Sequence, residues 1–336
     1  MLEMTNDTGN QVRSSLIRSP QARLHSLRAL PCNAMLLACC TAIVSSPPAQ
    51  AHAQFTDPRT YNNSPVGLNQ LELAYAYARA NASLDTSLII EGAHLNLNQG
   101  TISYTRYFGL FHRLAWVEPS LPIAVLNGSV TGTTISGATT GAGDSSYQVA
   151  MLVKGGPALS VKQFADFKPR TALGGSVTIT APTGQYKPDK ILNLGADRWS
   201  FKPELALSCP FGAQEKWEAD LYANSYFFTD NYSYRGVQLL RQEPLAGLEA
   251  HLSYSLLDSL WISLDTRYSF RGDTLVDGVN QHNPQKNFLL GSEVNMSLNA
   301  RNSLVIVLGK ALVHENGPAV SAISVKYDYT WGKGYK

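Results

Sequence analysis

The sequence predicts an all-β protein, an antiparallel up-and-down transmembrane β-barrel of about 12 strands. Three observations carry that reading. From Leu68 onward, segment after segment alternates apolar and polar residues with a period of two, so each strand has one apolar and one wet face. Charged residues make up only 15% of the chain, against about 25% in soluble domains. Hydrophobic content is nonetheless ordinary, which suits a barrel, where every second strand residue is apolar. Finally, tight turns alternate with long Gly-, Asn-, Asp- and Thr-rich connections, as on the two rims of such a barrel.

Residues 1–53 read as a secretory leader. Arg13, Arg18, Arg23 and Arg28 precede an apolar run from Met35 to Val44. Small-x-small cleavage sites end at Ala51 and Ala53. The run is too short to span a bilayer as a helix. Cys32, Cys39 and Cys40 lie in this leader, so the remaining chain keeps only Cys209 and forms no intrachain disulfide. Cleavage removes four of the 27 basic and two of the 25 acidic residues. The two signs then balance, and nucleic acid is not an expected partner. Residues 54–336 are expected to form the barrel, with a short N-terminal periplasmic lead-in.

The strands follow in order. The first sets Leu71, Leu73, Tyr75 and Tyr77 against Glu72, Ala74 and Ala76. The second, about residues 99–108, aligns Ile102, Tyr104 and Phe108. The third, residues 113–126, aligns Val117, Leu121, Ile123 and Val125 and is made irregular by Pro119 and Pro122. The fourth sets Tyr147, Val149, Met151 and Val153 against Gln148, Ala150 and Lys154. Residues 127–146, before it, read as a flexible loop. The fifth aligns Leu173, Gly175, Val177 and Ile179. The sixth is the sharpest: Trp199, Phe201, Leu205, Leu207 and Cys209 oppose Arg198, Lys202, Glu204 and Ser208.

In the seventh, Trp217, Ala219 and Leu221 oppose Glu218, Asp220 and Tyr222. The eighth sets Leu248, Leu252 and Tyr254 against Glu249, His251 and Ser253. The ninth sets Ile262, Leu264, Tyr268 and Phe270 against Ser263, Asp265, Arg267 and Arg271. In the tenth, Phe288, Leu290, Val294 and Met296 oppose Asn287, Glu293 and Asn295. The eleventh, residues 303–312, is apolar on both faces. The twelfth sets Ile323, Val325, Tyr327, Tyr329 and Trp331 against Ser324, Lys326 and Asp328. Residues 156–169 form a long link on the short-turn side, and a helical turn is expected there.

Histidines and serines on the polar faces raise the possibility of a catalytic barrel. His251 shares a face with Ser253 and Asp265, but Ser253 is about 6–7 Å along the same strand, beyond hydrogen-bond reach. His94, His112, His282 and His314 lack metal-ligand spacing. The turn Thr183-Gly184-Gln185-Tyr186 is no phosphate cradle, having one glycine and no following helix. Tyr75, Tyr77, Trp199, Tyr268, Tyr327, Tyr329 and Trp331 read as interfacial girdles. Neither an enzyme, a metal nor a cofactor is expected. The candidate lumen lining is Glu72, Arg198, Lys202, Glu204, Asp220, Glu249, His251, Asp265, Arg267, Arg271, Glu293, Lys326 and Asp328.

Several stretches resemble one family. They are Gly141-Ala142-Gly143-Asp144, Gly155 to Leu159, Phe164-Ala165, Thr180 to Tyr186 (TAPTGQY) and Asn193 to Glu204 (NLGADRWSFKPE). Together they resemble the "Putative MetA-pathway of phenol degradation" family of outer-membrane transporter-like proteins. Tyr61 to Asn69 (YNNSPVGLN) looks like its lead-in, and Asp277-Gly278 like a late loop. The resemblance covers most of residues 55–331; where Asp197 stands, the family usually has Asn. It implies an outer-membrane barrel of a Gram-negative bacterium and passive passage of small solutes, aromatic or otherwise hydrophobic. The partners it implies are that solute, outer-membrane lipid and the barrel assembly machinery.

Overall fold

The computed structural model describes residues 55–80, 93–130, 136–190, 192–316 and 319–335. The leader expected over residues 1–53 lies outside these. All the alternating segments become strands: β1 (Leu68–Ala80), β2 (Ala93–Leu110), β3 (Arg113–Val130), β4 (Ser136–Ala142), β5 (Ser146–Lys154), β6 (Ala172–Thr180), β7 (Ser200–Phe211) and β8 (Trp217–Phe228). After β8 come β9 (Asn231–Tyr234), β10 (Gln238–Gln242), β11 (Leu245–Leu257), β12 (Leu260–Arg271), β13 (Thr274–Val276), β14 (Val279–Asn280), β15 (Gln285–Ser297), β16 (Asn302–Glu315) and β17 (Ser321–Gly332).

One sheet runs β2-β1-β17-β16-β15-β12-β11-β8-β7-β6-β5-β3-β4, and β2 also pairs with β3, which closes it. The short β4 and β5 share one stave, because β3 pairs with β4 over residues 123–129 and with β5 over residues 115–120. The result is a closed 12-strand antiparallel barrel. Its seam is the β1–β17 ladder, where Glu72 lies opposite Asp328 and Leu71 opposite Tyr329. Closure pairs the backbone groups and leaves no free edge, the condition for strands to cross lipid.

Proline explains the irregularities. Pro119 and Pro122 cannot donate to a ladder. Accordingly, the β2–β3 pairing skips from Ser103–Ser120 to Arg106–Val117, where β3 also changes partner. Pro203 does the same between β7 and β8, whose register jumps from Phe201–Phe227 to Glu204–Asn224. The stretch 127–146, expected as a flexible loop, instead lengthens β3 and supplies β4. On the long-connection rim, β9, β10, β13 and β14 form a separate four-stranded sheet.

The opposite rim carries the tight turns and both barrel ends. Phe111 and His112 link β2 to β3 with φ of 48° and 60°, the left-handed pair that a two-residue hairpin turn requires. The long link on this rim contains α1 (Val161–Phe164), capped reciprocally by Ser160 and Gln163. It is the helical turn expected between residues 156 and 169. At Gly155, φ is +82° and a Cβ would stand 2.3 Å from the Thr171 carbonyl oxygen, so only glycine fits.

Outward rows are apolar and exposed, among them Leu73, Ile102, Val149, Val177, Leu205, Leu248, Leu264, Leu308 and Val325. Aromatic residues gather at the tight-turn rim. Trp331 stacks on Tyr329 and leans on Tyr104, and Trp217 packs on Tyr254 and Phe211. Inward rows are polar and buried. The eleventh segment, apolar on both faces, becomes β16. Ile306 and Leu308 point outward, while Val305 and Ala311 are buried inside.

Candidate functional site: the barrel lumen

The lumen is built by the inward rows of the strands and by a segment the sequence reading placed outside. Residues 55–67 run inside the barrel; they are not a lead-in hanging on the periplasmic side. Tyr61 is fully buried among Leu114, Trp116, Ala150, Leu152 and Tyr222. Its ring lies 5.5 Å from that of Trp116 and 5.3 Å from that of Tyr222. Period-two reasoning could not find this segment, because it is irregular. Its one sequence signal is Phe55 and Tyr61 standing close together just before the first strand.

Wall carboxylates hold the segment. The Thr56 backbone N–H donates to Glu249 Oε2 at 2.7 Å, and its hydroxyl donates to Glu204 Oε2 at 3.0 Å. The Tyr61 hydroxyl donates to Glu204 Oε1 at 2.9 Å. The backbone N–H of Arg59 donates to Asp220, and the Asn62 amide donates to Glu218. Arg59 Nε donates to Ser253 Oγ at 2.8 Å, and its guanidinium lies 4.9 Å from the Trp261 ring centre. Asp57 is ion-paired with Lys326. The carboxylates are acceptors only, so the donors they meet must come from this segment or from neighbouring strands.

Behind the segment lies a ladder of buried charge. Arg267 donates to Glu249 Oε1 at 2.8 Å, and Lys202 pairs with Glu204 at 3.0 Å. His251 Nδ1 lies 2.8 Å from Asp265 Oδ1, and Ser263 donates to the other Asp265 oxygen. With a carboxylate as acceptor, the proton sits on Nδ1. His251 Nε2 finds no hydrogen-bond partner, the nearest acid being Glu249 at 3.8 Å. Ser253, the nucleophile of a catalytic reading, is engaged by Arg59 and not by His251. A nucleophile without its base is not activated. Among the described residues, no group of His, Cys, Asp and Glu is arranged to hold a metal.

The expected lining residues separate into two sets. Lys202, Glu204, Asp220, Glu249, His251, Asp265 and Arg267 meet in the network just described. Glu72, Glu293, Lys326 and Asp328 face the seam side, where Lys326 stands in the field of Asp57, Glu72 and Glu293. Gln70 donates to Asp328.

Arg198 and Arg271 are corrected. Arg198 precedes β7 in a bend and donates to Gln242 at 2.6 Å, against the Phe228 ring. Arg271 is exposed at the end of β12, where a φ of 76° breaks the alternation. Both therefore stand on the long-connection rim. Three acidic residues join the lining instead: Asp57, Glu118, which accepts from Thr105, and Glu218, which accepts from Asn62. Glu118 has inward parity and was legible in principle, but the prolines beside it obscured the third strand. With two arginines at the rim and three acids added, carboxylates outnumber cations in the lumen.

A family profile with the description "Putative MetA-pathway of phenol degradation" matches residues 78–327. The chain belongs to this family. Solved structures are similar in fold. The COG4313 outer membrane channel from Pseudomonas putida F1 has 22% identity and a TM-score of 0.71, over 82% of this chain and 100% of that one. The beta domain of the Bordetella autotransporter BrkA has 10% identity and a TM-score of 0.47, over 79% of this chain and 100% of that one. The Ralstonia pickettii toluene transporter TbuX has 9% identity and a TM-score of 0.41, over 80% of this chain and 90% of that one. No curated protein matches the chain.

Proposed function

We propose that this protein is an outer-membrane channel for passive passage of small solutes, aromatic or otherwise hydrophobic, and that residues 55–67 close it. The observation that carries the reading is a closed barrel, apolar outside and charged inside, with an irregular segment inside the lumen that pairs with the wall by side chains. Sheet and segment are separable in principle, because the segment contributes no rung to the barrel ladder. Family membership supports the solute class. Passage runs by diffusion: the charged wall fixes the segment and the apolar exterior meets lipid. Residues 1–53 serve as the export leader, the barrel assembly machinery inserts the chain, and the lumen residues named above line the path.

The test is conductance and solute influx with the purified protein in bilayers. The full chain should carry small, intermittent currents. A variant lacking residues 55–62 should conduct persistently and admit a small aromatic solute into liposomes faster. A folded barrel that stays closed without residues 55–62 would end the proposal.

A further inference from the structure

Phe55 occupies a seat that differs from everything around it. The lumen is charged on most sides, yet this ring is buried against Leu289 and Ala311, a directly opposed pair on β15 and β16. The next rung on the same face, toward the tight-turn rim, is Gly291 opposite Gly309. A Cβ at Gly291 would lie 2.6 Å from Phe55 Cε2 and 3.0 Å from Cζ, and also 2.8 Å from the Leu308 carbonyl oxygen. One at Gly309 would lie 3.4 Å from the same Cε2. Neither glycine has a left-handed φ, so no turn explains the pair; at Gly291 the ring and the Leu308 carbonyl oxygen together leave no room for a Cβ, while one at Gly309 would just touch the ring. On the far side, His251 meets the ring edge-on, with centroids 6.2 Å apart and planes at 77°, the favoured geometry for aromatic pairs.

We propose that this seat is a binding site for a monocyclic aromatic ring, and that Phe55 is its tethered competitor. The seat shares features of a small-molecule site, an apolar wall with a polar ring held in place beside it. Here the neighbour is His251, fixed by Asp265. Phe55 can leave without breaking the barrel, since residues 55–67 add no strand to it. An incoming ring takes the same contacts and frees the end of the closing segment. This rests on the channel reading for its purpose, but not for its measurement.

The experiment follows the 19F line of fluorobenzene with the detergent-solubilised, folded barrel. A site occupied by its own side chain binds weakly in proportion to the fraction that is empty. Phe55→Ala should therefore bind fluorobenzene at least about tenfold more tightly than the native chain. Fluorocyclohexane should gain far less. Adding Gly291→Leu to Phe55→Ala should abolish the gain, and Ala311→Phe replaces it if that double variant fails to fold. Equal affinity in native and Phe55→Ala barrels, or binding that survives a filled seat, overturns the proposal. Ring binding in a barrel that carries no current keeps the seat and removes the channel reading. A conducting barrel with no ring binding does the reverse.

Discussion

Tyr61 is the residue on which closure should turn. It is fully buried, packs on two aromatic rings, and donates to Glu204. Replacing a buried aromatic side chain by alanine costs about 3–5 kcal/mol. Here that loss falls on the closed arrangement only, because the barrel ladder does not involve position 61. At 1.4 kcal/mol per factor of ten, Tyr61→Ala should raise the detached population roughly a hundredfold to several thousandfold. Tyr61→Phe keeps the packing and loses only a hydrogen bond to a carboxylate, about 1.5–3 kcal/mol, or roughly ten- to a hundredfold. Two readouts apply: single-channel open probability, and labelling of Thr56→Cys by a membrane-impermeant maleimide. Both should rise in the order native, Tyr61→Phe, Tyr61→Ala. If Tyr61→Ala folds, yet labels and gates like the native chain, the segment is not held as described.

Three further outcomes are expected. Leu205→Arg puts a charge on the lipid face of β7 and should cost about 2–4 kcal/mol if it lies near the bilayer midplane, whereas Lys202→Arg, on the inner face of the same strand, keeps a cation beside Glu204 and should fold with far less loss; urea titration of the barrel in lipid decides, and the reverse order would invert the faces of β7. Arg267→Leu leaves Glu249 buried without its cation and should destabilise the barrel by about 3–5 kcal/mol, read as a lowered temperature of heat-modified migration; unchanged migration would mean that water replaces the arginine freely. Because carboxylates outnumber cations in the lumen, the open channel should favour cations, and Glu72→Gln with Glu293→Gln should weaken that preference; an anion-selective reversal potential in the native chain would contradict the lining.

Strand number, faces and rims were legible because period two records them directly. Leu205 against Glu204, or Leu264 against Asp265, needs no tertiary knowledge. The misplaced arginines show where that logic stops. Alternation holds only while the backbone stays extended, and Arg198 and Arg271 lie just beyond that limit. The lead-in was misplaced for a different reason. Its contacts are made by Thr56, Arg59, Tyr61 and Asn62 with residues more than a hundred positions away. No local pattern encodes such partners. The apolar inner face of β16 was an anomaly in the sequence, and Phe55 accounts for the part of it around Ala311.

The seam between β1 and β17 has a consequence for how the chain comes to be folded. Leu68, where β1 starts, directly follows the segment lodged inside, and its ladder partner Gly332 lies almost at the other end of the chain. Most of the segment's hydrogen-bond partners, on β6, β7, β8 and β11, belong to the wall away from that seam, while Asp57 reaches Lys326 on β17 itself. A curved, still-open sheet could receive residues 55–67 sideways, with no threading through a finished ring. Joining β1 to β17 would then shut the barrel around the segment that precedes β1. The slow, long-range step and the loading of the interior become one event, and the order of biogenesis is written into which strand the lumen segment precedes.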